Sequence, residues 1–175
     1  MKILQIPFSQ KCLRSLKAGD RVFLNGIIYT ARDQAHKRLV QALTQNRRLP
    51  FPLKSSVIYY CGTTKTPKGS IIGACGPTTS SRMDIFTPAL LAGGLLGMIG
   101  KGTRSEAVIR AIQKHKAIYF LAYAGCGALT TKFVKEAAPV AYPDLGPEAV
   151  YRLRVENFPL IVGIDSSGRS VFKKT

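Results

Sequence analysis

The sequence is short of acid. Nine Asp and Glu stand against 26 Lys and Arg, for a formal net charge of +17. So one-sided a balance implies an anionic counterpart: a polyanion, an acidic protein partner or anionic substrates. It carries no information about fold. Histidine is limited to two residues and cysteine to four. Cys12, Cys61, Cys75 and Cys126 are nowhere spaced as C-x-x-C, and no histidine stands at metal-ligand distance from them. A zinc or cluster site built by this chain alone is therefore not expected. Free thiols fit a reducing compartment, and "MKILQIPFSQ" has too short an apolar run for a signal peptide. The expected location is cytoplasmic. Long apolar runs are also missing. The longest uncharged stretch, Ile85 to Gly100, falls short of the roughly 20 residues a membrane span needs. It contains Pro88 and the pair Gly93-Gly94, and it reads as a buried helix followed by a buried strand. No internal repeat or low-complexity linker divides the chain.

What is present suffices for one core. Of 175 residues, 46% are hydrophobic, so a single domain over 1–175 is expected. "GDRVFLNGIIYTAR" places β-branched and aromatic residues on both sides of Asn25-Gly26, a strong hairpin signal. Asp33 then reads as the N-cap of a helix carrying Ala35, Leu39, Ala42 and Leu43 at helical spacing. "SSVIYYCG" and "SIIGACGP" read as two short strands. "SEAVIRAIQKH" is a helix capped by Ser105, with Glu106 in its first turn. "AIYFLAYAG" is a buried strand, "GALTTKFVKEA" a short helix, and "YRLRVENFPLIVGID" a strand that "DSSGR" turns into a last strand, "SVF". The order of elements predicts an α/β fold: a mixed sheet with flanking helices.

Three stretches share one layout, in which a strand leads through a short loop with a cation into a capped helix. In "GPTTSSR", Arg82 sits in the first turn of the helix expected behind Thr79. A positive charge is unfavourable there, which points to an anion nearby. In "YTARDQAH", Arg32 stands where a strand hands over to a helix, at the end where α/β folds place ligands. His36 lies one turn further on, a candidate to support that site from behind. In "IGKGTRS", Lys101 stands between two glycines. This is not a phosphate-binding P-loop, since the upstream glycine is missing. Parallel strands would bring the three cations to one sheet edge, where arginine suits bidentate carboxylate binding. No acidic pair, metal-ligand set or cofactor loop accompanies them, and charge clamps position a substrate rather than transform it. Cys126 reads as a packed loop cysteine.

Taken together, "LNGIIYTARDQAHKRL", "GACGPTTSSRMDIF", "MIGKG" and "VENFPLIVGIDSSG" resemble the β subunit of class I iron–sulfur fumarate hydratases and the related L-tartrate dehydratases. The resemblance implies a swivelling β/β/α domain and reversible hydration of fumarate to (S)-malate. It implies a 4Fe–4S cluster held by three cysteines of a separate α subunit, and no cluster ligand among the four cysteines here. It further implies that Arg32, Thr78, Arg82 and Lys101 reach the substrate, with Thr78 near the proton that is lost. A threonine hydroxyl alone is far too weak a base, so a carboxylate of the α subunit is expected to act with it.

Two rival readings remain. One keeps the chemistry and replaces the substrate with L-tartrate. The other is a basic nucleic-acid-binding module, motivated by the +17 charge. Against it, the basic residues are scattered and no aromatic residues interleave with them in a recognisable RNA-binding motif.

Overall fold

A computed structural model of the chain describes residues 2–123, 125 and 127–172. The reading of Cys126 falls outside the described residues. Among the described residues seven strands form one sheet: β1 (Lys2–Gln5), β2 (Arg21–Thr30), β3 (Val57–Tyr59), β4 (Gly97–Gly100), β5 (Ile118–Ala122), β6 (Val134–Ala141) and β7 (Val150–Ile164). Their order is β1-β2-β3-β4-β5-β7-β6. From β1 to β5 all neighbours are parallel. β7 runs antiparallel to β5 at its C-terminal end and antiparallel to β2 further back. That second pairing closes β2, β3, β4, β5 and β7 into a barrel-like ring, a closure the sequence reading did not foresee.

Strand periodicity divides the apolar residues between two cores. Val57 and Tyr59 face the ring interior with Val22, Leu24, Ile28, Phe120 and Leu153. Ile58, on the opposite face, lies with Tyr60, Met98 and Tyr119 under the outer helices. Alternation along β3 produces this division, because successive side chains point to opposite faces. The outer layer consists of α2 (Asp33–Thr44), α3 (Thr87–Ala92) and α4 (Glu106–His115), and two short helices, α1 (Gln10–Ser15) and α5 (Gly127–Thr130), lie elsewhere. Helix α4 begins as its sequence indicates: Ser105 accepts from the Val108 N–H, and Glu106 lies in the first turn.

The mixed sheet with flanking helices agrees with the α/β expectation, as do the helix and strand read in Ile85–Gly100. Four local expectations are corrected. Asn25-Gly26 is a bulge inside one long strand rather than a hairpin turn. Both flanks pair with β7, and the Asn25 side chain accepts from the Asn157 N–H at 2.8 Å. "SIIGACGP" forms no strand. Its backbone–backbone bonds go singly to Pro67, Thr64 and Gly127, which offer no continuous ladder. "GALTTKFVKEA" is helical only at its start, through α5 and a 3₁₀ turn at Thr131–Phe133, and then becomes β6. That edge strand buries little beyond Val134 and contains Pro139, so it lacks a period-two apolar signal. "SVF" contributes a single bridge, Ile164 to Ser170, instead of a last strand.

Candidate functional site

The parallel strands β2, β3 and β4 end on one side of the sheet, and the three cation-bearing segments leave from those ends. Ala31, just beyond β2, donates to the Tyr59 carbonyl at 3.1 Å, and the Thr78 N–H donates to the Tyr60 carbonyl at 2.6 Å. The 76–82 loop therefore lies across the end of β3. Its next residues continue along β4: Thr79 bridges Lys101, and the Ser80 N–H donates to the Lys101 carbonyl at 2.9 Å. The Lys101 N–H donates in turn to Ser80 Oγ at 3.1 Å. Gly100 permits this approach, since a Cβ there would overlap Ser80 Oγ. Arg32, Thr78, Arg82 and Lys101 are thus carried by adjoining segments at one sheet edge.

Their surroundings differ. Arg82 is half exposed, and its Nε donates to Asp33 Oδ1 at 3.0 Å. Arg32 is more enclosed. Its Nε stands 3.8 Å from Asp33 Oδ2, and its Nη2 stands 3.7 Å from Glu148 Oε1. Gly62 leaves room for this side chain, because a Cβ would come within 3.0 Å of Arg32 Nη1. Lys101 is partly buried and has no ion-pair partner among the described residues. Arg32 and Arg82 are therefore joined through one carboxylate, while Lys101 is tied to the site by its backbone.

Two expectations about helix ends are corrected. The residues behind Thr79 form only a 3₁₀ turn, Ser80–Met83, with no side-chain cap. The hydroxyls of Thr78, Thr79, Ser80 and Ser81 do not form a common donor set. Ser80 is buried and its hydroxyl is hydrogen-bonded to Tyr119 Oη at 2.9 Å, whereas Thr79 and Ser81 are exposed. Nor is Asp33 the cap of α2. Arg32 occupies that position without a side-chain bond, and Glu148 Oε2 accepts from the Gln34 N–H at 2.9 Å.

His36 is fully buried directly behind Arg32. The Arg32 carbonyl can only accept, so His36 Nδ1 carries the proton and donates to it at 2.8 Å. Burial pushes the imidazole down to about 4, so the ring is neutral near pH 7. It packs edge-on against Tyr60 at 5.1 Å between centroids.

Sequence reasoning missed a buried group beneath these loops. The Arg104 side chain is wholly enclosed. It donates to Asp84 Oδ1 at 2.6 Å and to Thr87 Oγ1 at 2.7 Å, and it lies over the rings of Tyr60 and Tyr119. Asp84 Oδ2 accepts from the Ser105 N–H at 2.6 Å. One ion pair thereby ties the segment after Arg82 to the segment after Lys101. Nothing local marks Arg104 as buried. Glu148 lies 114 residues from Gln34, and no pattern in the sequence relates the two.

An open edge with two guanidinium groups and an ammonium, beside neutral donors, suits binding of a small carboxylate. Among the described residues no three His, Cys, Asp or Glu side chains gather around a possible metal position. Among the described residues no helix is long and apolar enough to cross a membrane.

These features define an α/β domain with a cationic strand-end face. The chain belongs to the family described as the fumarase C-terminus, whose model matches residues 2–175. It is 39% identical over 172 residues to the putative L(+)-tartrate dehydratase subunit beta of Methanocaldococcus jannaschii, covering 95% of this chain and 88% of that one. It is 38% identical over 165 residues to fumarate hydratase 2 of Leishmania major, and 38% identical over 164 residues to the aerobic class I fumarate hydratase of Escherichia coli K12. The matched region makes up 29% and 30% of those two longer proteins.

Proposed function

We propose that the chain is the β subunit of a two-subunit hydro-lyase that reversibly hydrates fumarate to (S)-malate. It would supply the carboxylate-binding half of the active site. The observation that carries this reading is the arrival of Arg32, Arg82 and Lys101 on adjoining segments at one sheet edge, in a chain whose relatives are named for fumarate and tartrate. The domain would be of the swivelling β/β/α kind, acting as a single unit in the cytoplasm.

Arg32, Arg82 and Lys101 hold the two carboxylates and oppose the charge that gathers on one of them as the C3 proton leaves malate. Thr78 lies at the start of the same loop, where its hydroxyl can contact the reacting carbon. A carboxylate of the partner α subunit takes the proton with it. The described residues here provide no donor set that fits a 4Fe–4S cluster, so on this reading the α subunit holds the cluster and its chemistry.

L-Tartrate is the second reading, favoured by the Methanocaldococcus relative, which the chain matches over most of its length. The test is reconstitution with the α chain. The β chain by itself should be inactive and colourless, and the assembled pair should dehydrate malate. Higher kcat/KM on L-tartrate would assign the other substrate. Hydratase activity of the lone chain would overturn the division of labour.

A further inference from the structure

We propose that Asp33 is the positioning residue of this site, a carboxylate shared by Arg32 and Arg82 that holds both guanidinium groups in place. The inference rests on the reading of those arginines as substrate-binding groups. It begins with a released function. An aspartate at the start of a helix ordinarily caps it, but Glu148 caps α2 through the Gln34 N–H. The Asp33 carboxylate is thereby free to turn towards the two arginines, with Oδ1 on Arg82 Nε at 3.0 Å and Oδ2 towards Arg32 Nε at 3.8 Å.

Guanidinium geometry gives this contact its meaning. Arginine offers five N–H donors in a fixed plane, as one fork between Nε and an Nη and another between the two Nη atoms. Asp33 occupies Arg82 at Nε. The Nη pair makes no hydrogen bond or ion pair with the described residues, and it remains the fork available to a carboxylate. Asp33 also separates two like charges that would otherwise repel across the same edge. Arg32 Nε and Asp33 Oδ2 are both buried and both lack a hydrogen-bond partner. Unsatisfied buried polar atoms are uncommon and mark places where structure serves something besides stability.

A negative charge beside an anion site weakens attraction for a dianion. Simple electrostatics therefore predicts that removing it tightens binding, whereas positioning predicts that removing it slows turnover. Asp33→Asn keeps size and backbone and separates the two. In the enzyme assembled with its α chain, kcat should fall by roughly tenfold to a hundredfold, while KM for the dicarboxylate stays level or drops. In the full chain alone, the Arg82 Nε–Hε NMR signal, assigned by its loss in Arg82→Lys, should be downfield and protected from exchange. Asp33→Asn should abolish both properties. An unprotected Arg82 signal in the unmutated chain would overturn the contact without any Asp33 variant having to fold. A kcat unchanged by Asp33→Asn, or a raised KM at constant kcat, would overturn the positioning role. If Arg82→Ala leaves kcat/KM unchanged while the signal is protected, the substrate-binding reading of Arg82 fails and the Asp33 contact stands.

Discussion

At the scale of single residues, the cations Arg82 and Lys101 and the buried histidine make different demands on experiment. Arg82 is half exposed, so its ion pair with Asp33 contributes little to folding. A charge-assisted bond to substrate, by contrast, is worth about 1.5–3 kcal/mol. Arg82→Ala should leave the melting temperature almost unchanged and lower kcat/KM of the assembled enzyme by roughly tenfold or more. Lys101→Met keeps much of the side chain's length and removes its charge. If the ammonium faces a buried dicarboxylate, the loss should persist in high salt, since a desolvated pair is poorly screened. Combined with Arg82→Ala it should be non-additive if both act on one ligand. Strict additivity of two small, salt-sensitive effects would mean that the cations do not converge.

His36 predicts a pH dependence of stability. Its folded value is about 4 and its unfolded value 6.5, so the unfolded chain takes up the proton first as pH falls. The stability that depends on neutral His36 is fully present above pH 6.5 and is lost progressively towards pH 4. The shift corresponds to about 3 kcal/mol over that window. Denaturant titrations at several pH values should show this slope, and His36→Phe should flatten it between pH 5 and 6.5, roughly the range above the ordinary carboxylate values. A slope unchanged by that substitution would show that other groups set it.

At the scale of elements, the Arg104–Asp84 pair holds two loops that have no extended hydrogen-bonded ladder of their own. The 3₁₀ turn with Arg82 and the lead into α4 behind Lys101 meet at this pair. Removing one partner of a buried ion pair leaves an uncompensated charge, at a cost of about 3–5 kcal/mol. Arg104→Met should therefore lower unfolding free energy by that order, measured in urea, and weaken activity by disturbing both cations at once. Adding Asp84→Leu should recover only part of the stability, because Asp84 also accepts from the Ser105 N–H. Full recovery would mean that this capping bond contributes nothing.

The whole molecule is organised by the parallel run from β1 to β5 and by the closure through β7. Parallel strands bring consecutive strand-to-helix loops to one edge, and so segments distant in sequence present Arg32, Arg82 and Lys101 together. The ring holds those strand ends at fixed spacing, since β2 is bonded on both sides. An excess of 17 positive charges over the whole chain attracts a dianion at long range and repels a second basic copy. A less basic partner is the physical complement of such a surface.

Some of this was determined by the sequence itself. Local signals fixed α4, whose cap and acidic first turn lie next to its apolar stripe. They fixed the buried strand β5, and they fixed the strand–cation–helix order at Arg32 and Lys101, because each depends on neighbours within a few residues. Asn25-Gly26 shows where local signals end. The dipeptide favours a turn, but continuous pairing of both flanks with β7 makes it a bulge, a choice made more than a hundred residues away. The same holds for β6, whose only reason to be a strand is the free edge of β7. Asp33 was legible as a helix-start residue and illegible as the partner of Arg82, since Glu148 had first to take over the cap. Capping and periodicity are short-range and can be read along a chain. Ring closure, the buried Arg104–Asp84 pair and the shared carboxylate are contacts between distant segments, and only the folded structure could decide them.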